Sequence, residues 1–480
     1  MRHFSLLRTN KLPLLLTVIS VLLYVTFAYD LMRTDYIKLM SLYVALFFIF
    51  YKLIQLEKYN TRFLTAIAFI FRAVFIFSIP NLSQDFYRFI WDGRMLLEGF
   101  NPYLYTPESF ILKGAFPVAQ TQELYLGMGE LNASHFTNYP PVNQLCFVIA
   151  GFFAGKSILG SVFVLRLLII AADFGTLYFG KKLLKKLKLP VHNLFFYILN
   201  PFIIIELTGN LHFEGVMVFF LVWSLYLLHA GQWKFAAVIF ALSIATKLIP
   251  LLFLPLFFGW FLKRTVFART AQQSVKQAEI ARSHKGTHIA FWKRIRTLLV
   301  FYVIVGLTTL LLFAPFLSIQ FIELYFKTVG LWFSDFEFNA SMYYIFREIG
   351  YLFRGWNEIG VIGSLLPVLV LLFVLYLSFF KKNRTTKQLL VAMLFAFTFY
   401  LFASTTVHPW YLATLLFLSV FTNYKFPLVW SFIIIISYLA YANTDNTENL
   451  WIIALEYVVV YGFLIWELFI KQKRLESSDL

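Results

Sequence analysis

The chain has 480 residues, of which 60% are hydrophobic and only 14% are charged, and its mean hydropathy is +0.75. Soluble domains are nearer half apolar and a quarter charged, so this composition excludes a soluble enzyme and indicates many membrane spans. The net charge of +17 does not indicate a nucleic-acid partner, because Lys and Arg collect on the cytoplasmic side of membrane spans. A single cysteine, Cys146, excludes an intrachain disulfide.

Three apolar segments open the chain, at about 12–29, 37–56 and 62–80. The first follows a basic N-terminus, and no small-residue cleavage site comes after it. We therefore interpret it as a retained span rather than a removed signal peptide. Residues 1–80 form a predicted N-terminal unit of spans.

A long polar loop follows, over residues 81–141. Between Asn81 and Pro140 it carries six acidic residues and three basic ones, which is the reverse of the bias of a cytoplasmic loop. The loop is much longer than an ordinary connection, and its stretch FYRFIWDGRMLL has apolar residues at helical spacing. These features predict an outer-facing loop with short amphipathic helices on the membrane surface.

The rest of the chain alternates apolar segments with basic loops. Predicted spans lie at about 160–180, 192–208, 211–230, 233–248, 249–262, 298–316, 358–380, 388–404, 409–422, 426–442 and 449–470. We assign to the cytoplasm the lysine-rich stretch 181–188, the basic loop 263–297, residues 381–387 and the tail 471–480, and we assign the acidic stretch 443–449 to the outside.

The short apolar segment 142–155 needs a separate interpretation. If it crossed the membrane fully, the lysines of 181–188 would lie outside, so we predict a half-span that dips in and returns. With it, residues 142–262 form predicted core spans, and 298–470 form the C-terminal spans. The predicted fold class is all-α: a polytopic helical bundle of about 11–14 spans with a long outer loop.

Charged residues also occur within the predicted spans. They are Arg72, Arg166 and Asp173. Arg166 and Asp173 are seven residues apart and share a helix face. We favour structural pairing inside the bundle for these charges over a role in chemistry.

The outer loop opens with a dense polar cluster. Asp85 and Asp92 share a helix face, and Arg88 and Arg94 follow them closely. A solvated face with ion pairs would explain this pattern. The functional alternative is a carboxylate acting as general base at the lipid–water boundary, with guanidinium groups that bind phosphate.

Further candidates stand where predicted spans meet loops on the outer side. Ordinary explanations remain open for them: helix entry at the prolines, a turn in water, a snorkelling lysine and an interfacial aromatic belt. Their shared side nevertheless predicts one substrate site at the membrane boundary. The candidates are Asn101, Tyr103, Tyr139, Asn210, His212, Glu214, Lys247, His408, Trp410 and Tyr411.

Six short motifs, taken in order, resemble the GT-C superfamily of membrane glycosyltransferases. The closest resemblance is to the catalytic subunit of GPI mannosyltransferase I and related bacterial mannosyltransferases. SQDFYRF resembles the acidic DxDY of their first outer loop, and WDGRMLLEGFNPY resembles the segment that follows it. NYPP, GNLHFEG, KLIP and HPWY resemble the later motifs YTP, RGNAES, KIYP and HPRY. The resemblance covers about Ser83 to Tyr411.

The resemblance implies an inverting transfer of a hexose, mannose foremost, from a polyprenyl-phosphate sugar. Asp85 would be the catalytic base, and Lys247, His408, Arg88 and Arg94 would be candidates to stabilise the leaving phosphate. Asp92, Asn101, Tyr103, Tyr139, Asn210, His212, Glu214, Trp410 and Tyr411 would bind substrate. Ser83 replaces the first carboxylate of the family pair, so a paired-carboxylate metal site is not expected. We assign no cofactor, and a divalent cation stays open as an alternative.

The expected partners are the lipid-linked donor, a lipid or glycan acceptor and membrane lipids, with no nucleic acid. An alternative from another class is a transporter or flippase of lipid-linked saccharides, which broken helices would also suit. A purely structural membrane subunit would leave the polar cluster unexplained. The preferred location is a bacterial inner membrane, or the endoplasmic reticulum if the source is eukaryotic.

Overall fold

The structure is a computed structural model that describes residues 11–263, 284–443 and 447–471. The N-terminal ten residues, most of the basic loop 263–297, part of the acidic stretch 443–449 and nearly all of the tail 471–480 lie outside the described residues. The predicted all-α class is confirmed. In the described ranges the single strand-like contact is an isolated bridge between Phe338 and Thr406.

The described residues form a succession of helices. The α-helices are Lys11–Asp30, Tyr36–Glu57, Thr61–Val74, Asp85–Leu97, Pro107–Ile111, Thr121–Ala133, Pro141–Ala154, Ile158–Lys186, Phe195–Ile198, Pro201–Ile203, Glu214–His229, Trp233–Ile244, Phe257–Lys263, His284–Phe313, Ile319–Ser334, Met342–Arg354, Ile359–Phe379, Thr386–Ala403, Leu412–Ser419, Phe426–Ile433 and Leu450–Ile465. Tighter or wider helical turns occupy Val191–Leu194, Ile204–Gly209, Ile249–Leu256, Ala314–Phe316, Pro409–Tyr411, Ile434–Ala442 and Trp466–Lys471.

Seven described helices are long and apolar enough to cross a membrane, and an eighth span results if one bent pair is counted. That pair is Val191–Ile198 and Pro201–Gly209, which meet at 48° beside Pro201. Six shorter apolar helices of 10–17 residues accompany them. The chain is thus a multi-pass membrane protein, and the shorter helices correspond to segments that the sequence predicts as short spans or as a half-span.

Polar residues at the loop boundaries set several of the helix starts. The side chains of Asp35, Asn60 and Ser157 each accept a hydrogen bond from a backbone N–H of the following first turn, which satisfies donors that have no partner inside the helix. Thr385 and Gln388 form a reciprocal capping box at the start of Thr386–Ala403. The span predicted over 62–80 ends earlier, at Val74, and Pro80 stands in the non-helical segment that follows.

The long loop over residues 81–141 contains three short helices, as its periodicity predicts: Asp85–Leu97, Pro107–Ile111 and Thr121–Ala133. The first is not an exposed surface helix, because its residues from Phe86 to Met95 are mostly buried. It packs against Pro141–Ala154 at Gly93, where an added Cβ would lie 2.2 Å from the carbonyl oxygen of Phe147. Glycine at this crossing lets the two backbones approach closely.

The segment predicted as a half-span forms the helix Pro141–Ala154. Fourteen residues extend about 21 Å, which is less than the apolar thickness of a bilayer. The chain reverses at Gly155, where φ is +57°, and Ile158–Lys186 packs back against the short helix. This hairpin agrees with a segment that does not cross by itself.

Buried charges fix the position of Thr61–Val74 relative to Ile158–Lys186. Arg72 Nε donates to Asp173 Oδ2 at 2.7 Å, and both side chains are fully buried. Arg166 instead donates to four backbone carbonyls, those of Ile76, Ser78, Thr208 and Gly209. The contacts therefore agree with the structural role that the sequence favours for these charges. Asp173, however, pairs with Arg72 and not with Arg166.

The two ends of the bundle differ in character. Lys181 Nζ donates to Thr65 near the start of Thr61–Val74, whereas Arg166 binds Ser78 just beyond the end of that helix. Ile158–Lys186 is therefore antiparallel to Thr61–Val74. The lysines of 181–188 lie at the opposite end of the bundle from the loop that begins at residue 81.

Candidate active site

A cavity of 520 Å³ opens at the end of the bundle that carries the long loop. Its wall combines polar side chains with aromatic rings from segments that are far apart in the chain. Those segments contribute Arg33, Ser83 to Asp85, Asn132, His135 to Tyr139, Lys247, Glu337, Phe338, His408, Trp410 and Tyr411. The wall brings together half of the fourteen candidate site residues that the sequence analysis names.

Asp85 stands on this wall as the first residue of its helix. Its backbone N–H donates to Ser83 Oγ at 3.3 Å. The residue before this turn is fixed as well, because Leu82 N donates to the buried Asn210 Oδ1 at 3.1 Å. The helix start also favours a negative charge through the aligned backbone N–H groups. Ser83 therefore shapes the turn that presents the carboxylate.

Two side chains bind the Asp85 carboxylate. Asn132 Nδ2 donates to Oδ1 at 3.1 Å, and the Tyr139 hydroxyl donates to Oδ2 at 3.5 Å. Burial raises the pKa of Asp85 above its ordinary value, while the hydrogen bond from Asn132 and the charges of Lys247 and Arg33 oppose that shift. A carboxyl group with a raised pKa is a better proton acceptor than an ordinary aspartate once it is ionised.

Lys247 lies where the polar cavity meets a second, apolar space. Its ammonium group is 3.0 Å from Glu214 Oε1 and 5.1 Å from the centre of the Tyr139 ring. The second space, of 290 Å³, is lined by Pro140, Glu214, Leu248, Ile249, Leu252 and Val329 together with Tyr139, Lys247 and Tyr411 from the first. A cation therefore stands at the mouth of an apolar groove.

The groove continues towards the outside of the bundle. A further space of 190 Å³ shares Leu252 and Tyr400 with it and is otherwise lined mainly by apolar residues, among them Leu366, Pro367 and Leu371. Leu371 is 52% exposed on the outer surface of its helix. The path from the polar cavity thus leads between helices to a face with the character of a lipid contact.

A stack of rings forms another part of the wall. Trp410 lies between His212, at 3.8 Å between ring centres, and His408, at 4.5 Å, and both pairs are nearly parallel. His212 is only 1% exposed and lies behind Trp410. Burial, with Lys247 and Arg33 nearby, lowers the pKa of His408 to about 3, so this imidazole is neutral near pH 7 and supplies no positive charge.

Several predicted site residues brace the loop from behind the cavity. Asp92 is fully buried and accepts hydrogen bonds from Arg88 Nε at 2.8 Å and Gln144 Nε2 at 3.1 Å. Arg88 reaches the cavity wall but also donates to the carbonyl oxygens of Asn132 and His135. It therefore holds the segment that carries the amide partner of Asp85.

Other predicted residues close turns. Arg94 donates to the carbonyl oxygen of Ala119 at 2.6 Å. Asn101 accepts from the backbone N–H of Tyr103, and the Tyr103 hydroxyl donates to the carbonyl oxygen of Tyr139 at 2.6 Å. The structure thus brings Asp85, Arg88, Tyr139, Lys247, His408, Trp410 and Tyr411 to the cavity, Glu214 to the groove, and places Asp92, Arg94, Asn101, Tyr103, Asn210 and His212 behind them.

Sequence reasoning missed several residues of the wall. Asn132, Glu337 and Tyr441 contribute to it, as does Arg33 from the five-residue connection between the first two helices. Arg33 could have been found from topology, because the charge bias that predicts an outer-facing long loop also predicts an outer position for this connection. Within the described ranges, no group of three or more His, Cys, Asp or Glu side chains converges as a set of metal ligands.

A family model described as "Alpha-(1->6)-mannopyranosyltransferase, N-terminal domain" matches residues 10–264, which is more than half of the chain. The matched range includes Asp85 and Lys247. It ends before the segments that supply Glu337, His408 and Tyr441. A search of curated proteins finds no match.

Proposed function

The chain belongs to the alpha-(1->6)-mannopyranosyltransferase family, and from this premise we propose that it moves mannose from a polyprenyl-phosphate donor to a sugar hydroxyl with Asp85 as base. That it is a membrane-embedded mannosyltransferase follows from the family and the helices. Membership favours the enzyme over the transporter that the sequence left open. The donor, the side of the membrane, the inversion and the role of Asp85 are our proposals.

One observation carries the choice of donor: the polar cavity and the apolar groove join at Lys247. A donor with a sugar, a phosphate and a long hydrocarbon chain has the same order of chemistry. The mannose would occupy the polar cavity, the phosphate would lie near Lys247, and the prenyl chain would follow Leu248, Ile249 and Leu252 towards lipid. A nucleotide sugar has no hydrocarbon chain and would leave this groove without a role.

The reaction is a single displacement. Asp85 takes the proton from the acceptor hydroxyl while that oxygen forms a bond to the anomeric carbon of mannose. The bond from that carbon to the phosphate oxygen breaks, and its electron pair leaves with the polyprenyl phosphate. The leaving group is already an anion and needs cations and hydrogen bonds more than it needs a general acid. We assign no step to a metal ion.

A single displacement inverts the anomeric centre. If the product has the alpha linkage that the family description states, the donor must carry mannose in the beta configuration. The same description implies a primary hydroxyl, at carbon 6 of a sugar residue, as the nucleophile. We propose that this sugar belongs to a lipid or glycan acceptor that reaches the cavity from the side of the long loop.

The loop charges support an outer-facing site. The loop from 81 to 140 is acidic, whereas the stretch from 263 to 296 carries nine basic residues and one acid, and basic residues collect on the cytoplasmic side. A polyprenyl-phosphate sugar suits this location, because a site outside the cytoplasm is separated from the cytoplasmic pool of nucleotide sugars. We propose the bacterial inner membrane as the setting.

The test is transfer of labelled mannose by purified protein in lipid nanodiscs, comparing polyprenyl-phosphate mannose with GDP-mannose. We expect transfer from the lipid-linked donor and none from the nucleotide. Asp85→Asn should lower kcat by about 10²–10⁴-fold, since it removes a general base. The matched control is Glu98→Gln, because Glu98 is an exposed acid just after the same helix.

Two results would overturn the proposal. Transfer from GDP-mannose alone would eliminate the lipid-linked donor. An Asp85→Asn variant that is folded and transfers mannose at the rate of wild type would eliminate Asp85 as the base.

A further inference from the structure

Arg33 is the one residue of the cavity wall that comes from the connection between the first two helices. Asn81 holds that connection beside the long loop, because its Nδ2 donates to the carbonyl oxygens of Phe27 at 2.7 Å and Leu31 at 3.2 Å. The guanidinium of Arg33 lies 3.2 Å above the centre of the Tyr441 ring. The connection is thus anchored beside the long loop, and the Arg33 side chain stacks on Tyr441 in the wall of the cavity.

Arg33 differs from the other cations of the wall in its lack of an acidic partner. Arg88 is paired with Asp92 at 2.8 Å, and Lys247 is paired with Glu214 at 3.0 Å. Within the described part of the chain, Arg33 has no carboxylate at ion-pair distance, and its buried Nε has no hydrogen-bond acceptor. A guanidinium that has no carboxylate partner in a partly enclosed site is a candidate to bind an anionic ligand.

The aromatic wall explains how this charge is kept in place. The Tyr441 ring packs on Phe338 with ring centres 5.9 Å apart, and Phe338 packs on His408 at 5.1 Å. A planar guanidinium stacks well on such a ring and still presents its N–H edge to a ligand. The stack thus orients Arg33 without neutralising it.

We propose that Arg33 binds the phosphate of the lipid-linked donor and stabilises it as it leaves. This inference rests on the proposed function, since it names a phosphate contact in the same cavity. Lys247 alone is a weak counter-ion, because Glu214 already balances its charge. When the carbon–oxygen bond breaks, its electron pair passes to the phosphate oxygen, and the N–H groups of Arg33 donate hydrogen bonds to that phosphate.

The experiment measures inhibition of mannosyl transfer by polyprenyl monophosphate and by polyprenol of the same chain length. Arg33→Met keeps the apolar stem against Tyr441 and removes the charge. We expect this variant to weaken inhibition by the monophosphate by about tenfold or more, with inhibition by polyprenol unchanged. Arg33→Lys should restore part of the loss, because it keeps the charge and loses the planar stacking.

The matched control is Lys38→Met, which removes a cation from the same end of the bundle. Lys38 pairs with Asp30 at 2.7 Å and does not line the cavity, so its loss should leave both inhibition constants unchanged. An Arg33→Met variant with unchanged inhibition by the monophosphate would overturn the inference. Equal weakening of both inhibitors would also overturn it, since that result indicates a structural role.

Failure of the donor assignment would look different. In that case wild-type protein would not distinguish monophosphate from polyprenol and would not use polyprenyl-phosphate mannose. A wild-type enzyme that uses the lipid-linked donor, with an Arg33→Met variant that binds monophosphate normally, would refute the role of Arg33 alone.

Discussion

At the scale of single residues, the carboxylate of Asp85 is held in a defined geometry. The Ser83 hydroxyl oxygen accepts a hydrogen bond from the backbone N–H of Asp85. Asn132 donates to one carboxylate oxygen of Asp85, and Tyr139 donates to the other. Ser83 thus has a visible role in the turn. A second carboxylate there would stand close to Asp85 and raise its pKa further by charge repulsion.

The shifted pKa of Asp85 leads to a prediction on pH dependence. A general base must be ionised, so kcat/KM should fall as pH drops through the pKa of Asp85. Burial raises that pKa, and the acid limb should therefore lie at higher pH than an ordinary aspartate would give. Asn132→Ala removes a hydrogen bond that lowers the pKa, so the limb should move further towards neutral pH. The measurement is kcat/KM as a function of pH for both proteins.

Glu98→Gln serves again as the control, and its profile should follow that of wild type. An acid limb that Asn132→Ala leaves in place would show that another group governs the ionisation.

At the scale of elements, the position of Asp85 depends on how its helix crosses Pro141–Ala154. Gly93 and Gly151 face the contact, where a Cβ on Gly151 would lie 2.8 Å from a side-chain carbon of Leu97. Backbone carbonyls cannot move aside as a flexible side chain can. The close approach at Gly93 therefore holds Asp85 and the Tyr139 entry to the next helix in register.

We predict that Gly93→Ala moves these two helices apart. The new Cβ would meet the Phe147 carbonyl at 2.2 Å, so we expect a loss of about 1–3 kcal/mol of stability from overpacking and a marked fall in mannosyl transfer. Thermal unfolding in detergent and the transfer assay measure the two effects. The control is Gly306→Ala, since a Cβ there has no heavy atom within 4 Å.

The expectation for Gly306→Ala is wild-type activity with equal or slightly higher thermal stability, because alanine favours the helix. If Gly93→Ala has the same unfolding temperature and the same rate of mannosyl transfer as wild type, the helix crossing does not control the site.

At the scale of the whole molecule, the cavity and the lysine-rich loops occupy opposite ends of the bundle. Lys181 contacts Thr65 at one end, and Arg166 contacts Ser78 towards the other. The basic end also carries Lys381 and Lys382 beside Leu189. Charge bias predicts that this end is cytoplasmic, and we therefore propose that the cavity lies on the outer side.

This orientation can be tested by cysteine labelling, since the chain has one native cysteine. In a Cys146→Ala background, Lys113→Cys lies on the exposed long loop and Lys382→Cys lies at the basic end. A membrane-impermeant maleimide should label Lys113→Cys in intact cells and Lys382→Cys only after permeabilisation. The reverse pattern would place the cavity in the cytoplasm.

The spans and the outer loop could be predicted from the sequence because their signals are local. Helices in lipid need long apolar segments, and the described helices follow those segments closely. The ordered motifs around Asp85, Lys247 and His408 also indicated a mannosyltransferase, which agrees with the family. Length, hydropathy and loop charge are read along the chain and require no knowledge of contacts.

The assignment of individual residues required the tertiary structure. A polar group beside lipid is costly whether it braces a fold or binds a substrate, so composition could not separate Asp85 from Asp92 or Lys247 from Arg94. The structure separates them, because Asp92 is enclosed by Arg88 and Gln144 while Asp85 faces a cavity.

The sequence by itself thus determined the class of the protein and its spans. Only the tertiary structure decided which residues meet: it brought Arg33 and Tyr441 together across most of the chain, joined the cavity to an apolar groove at Lys247 and placed His212 behind Trp410. The physical reason is that spans form from local apolar runs, whereas the site forms from packing between helices that are distant in sequence.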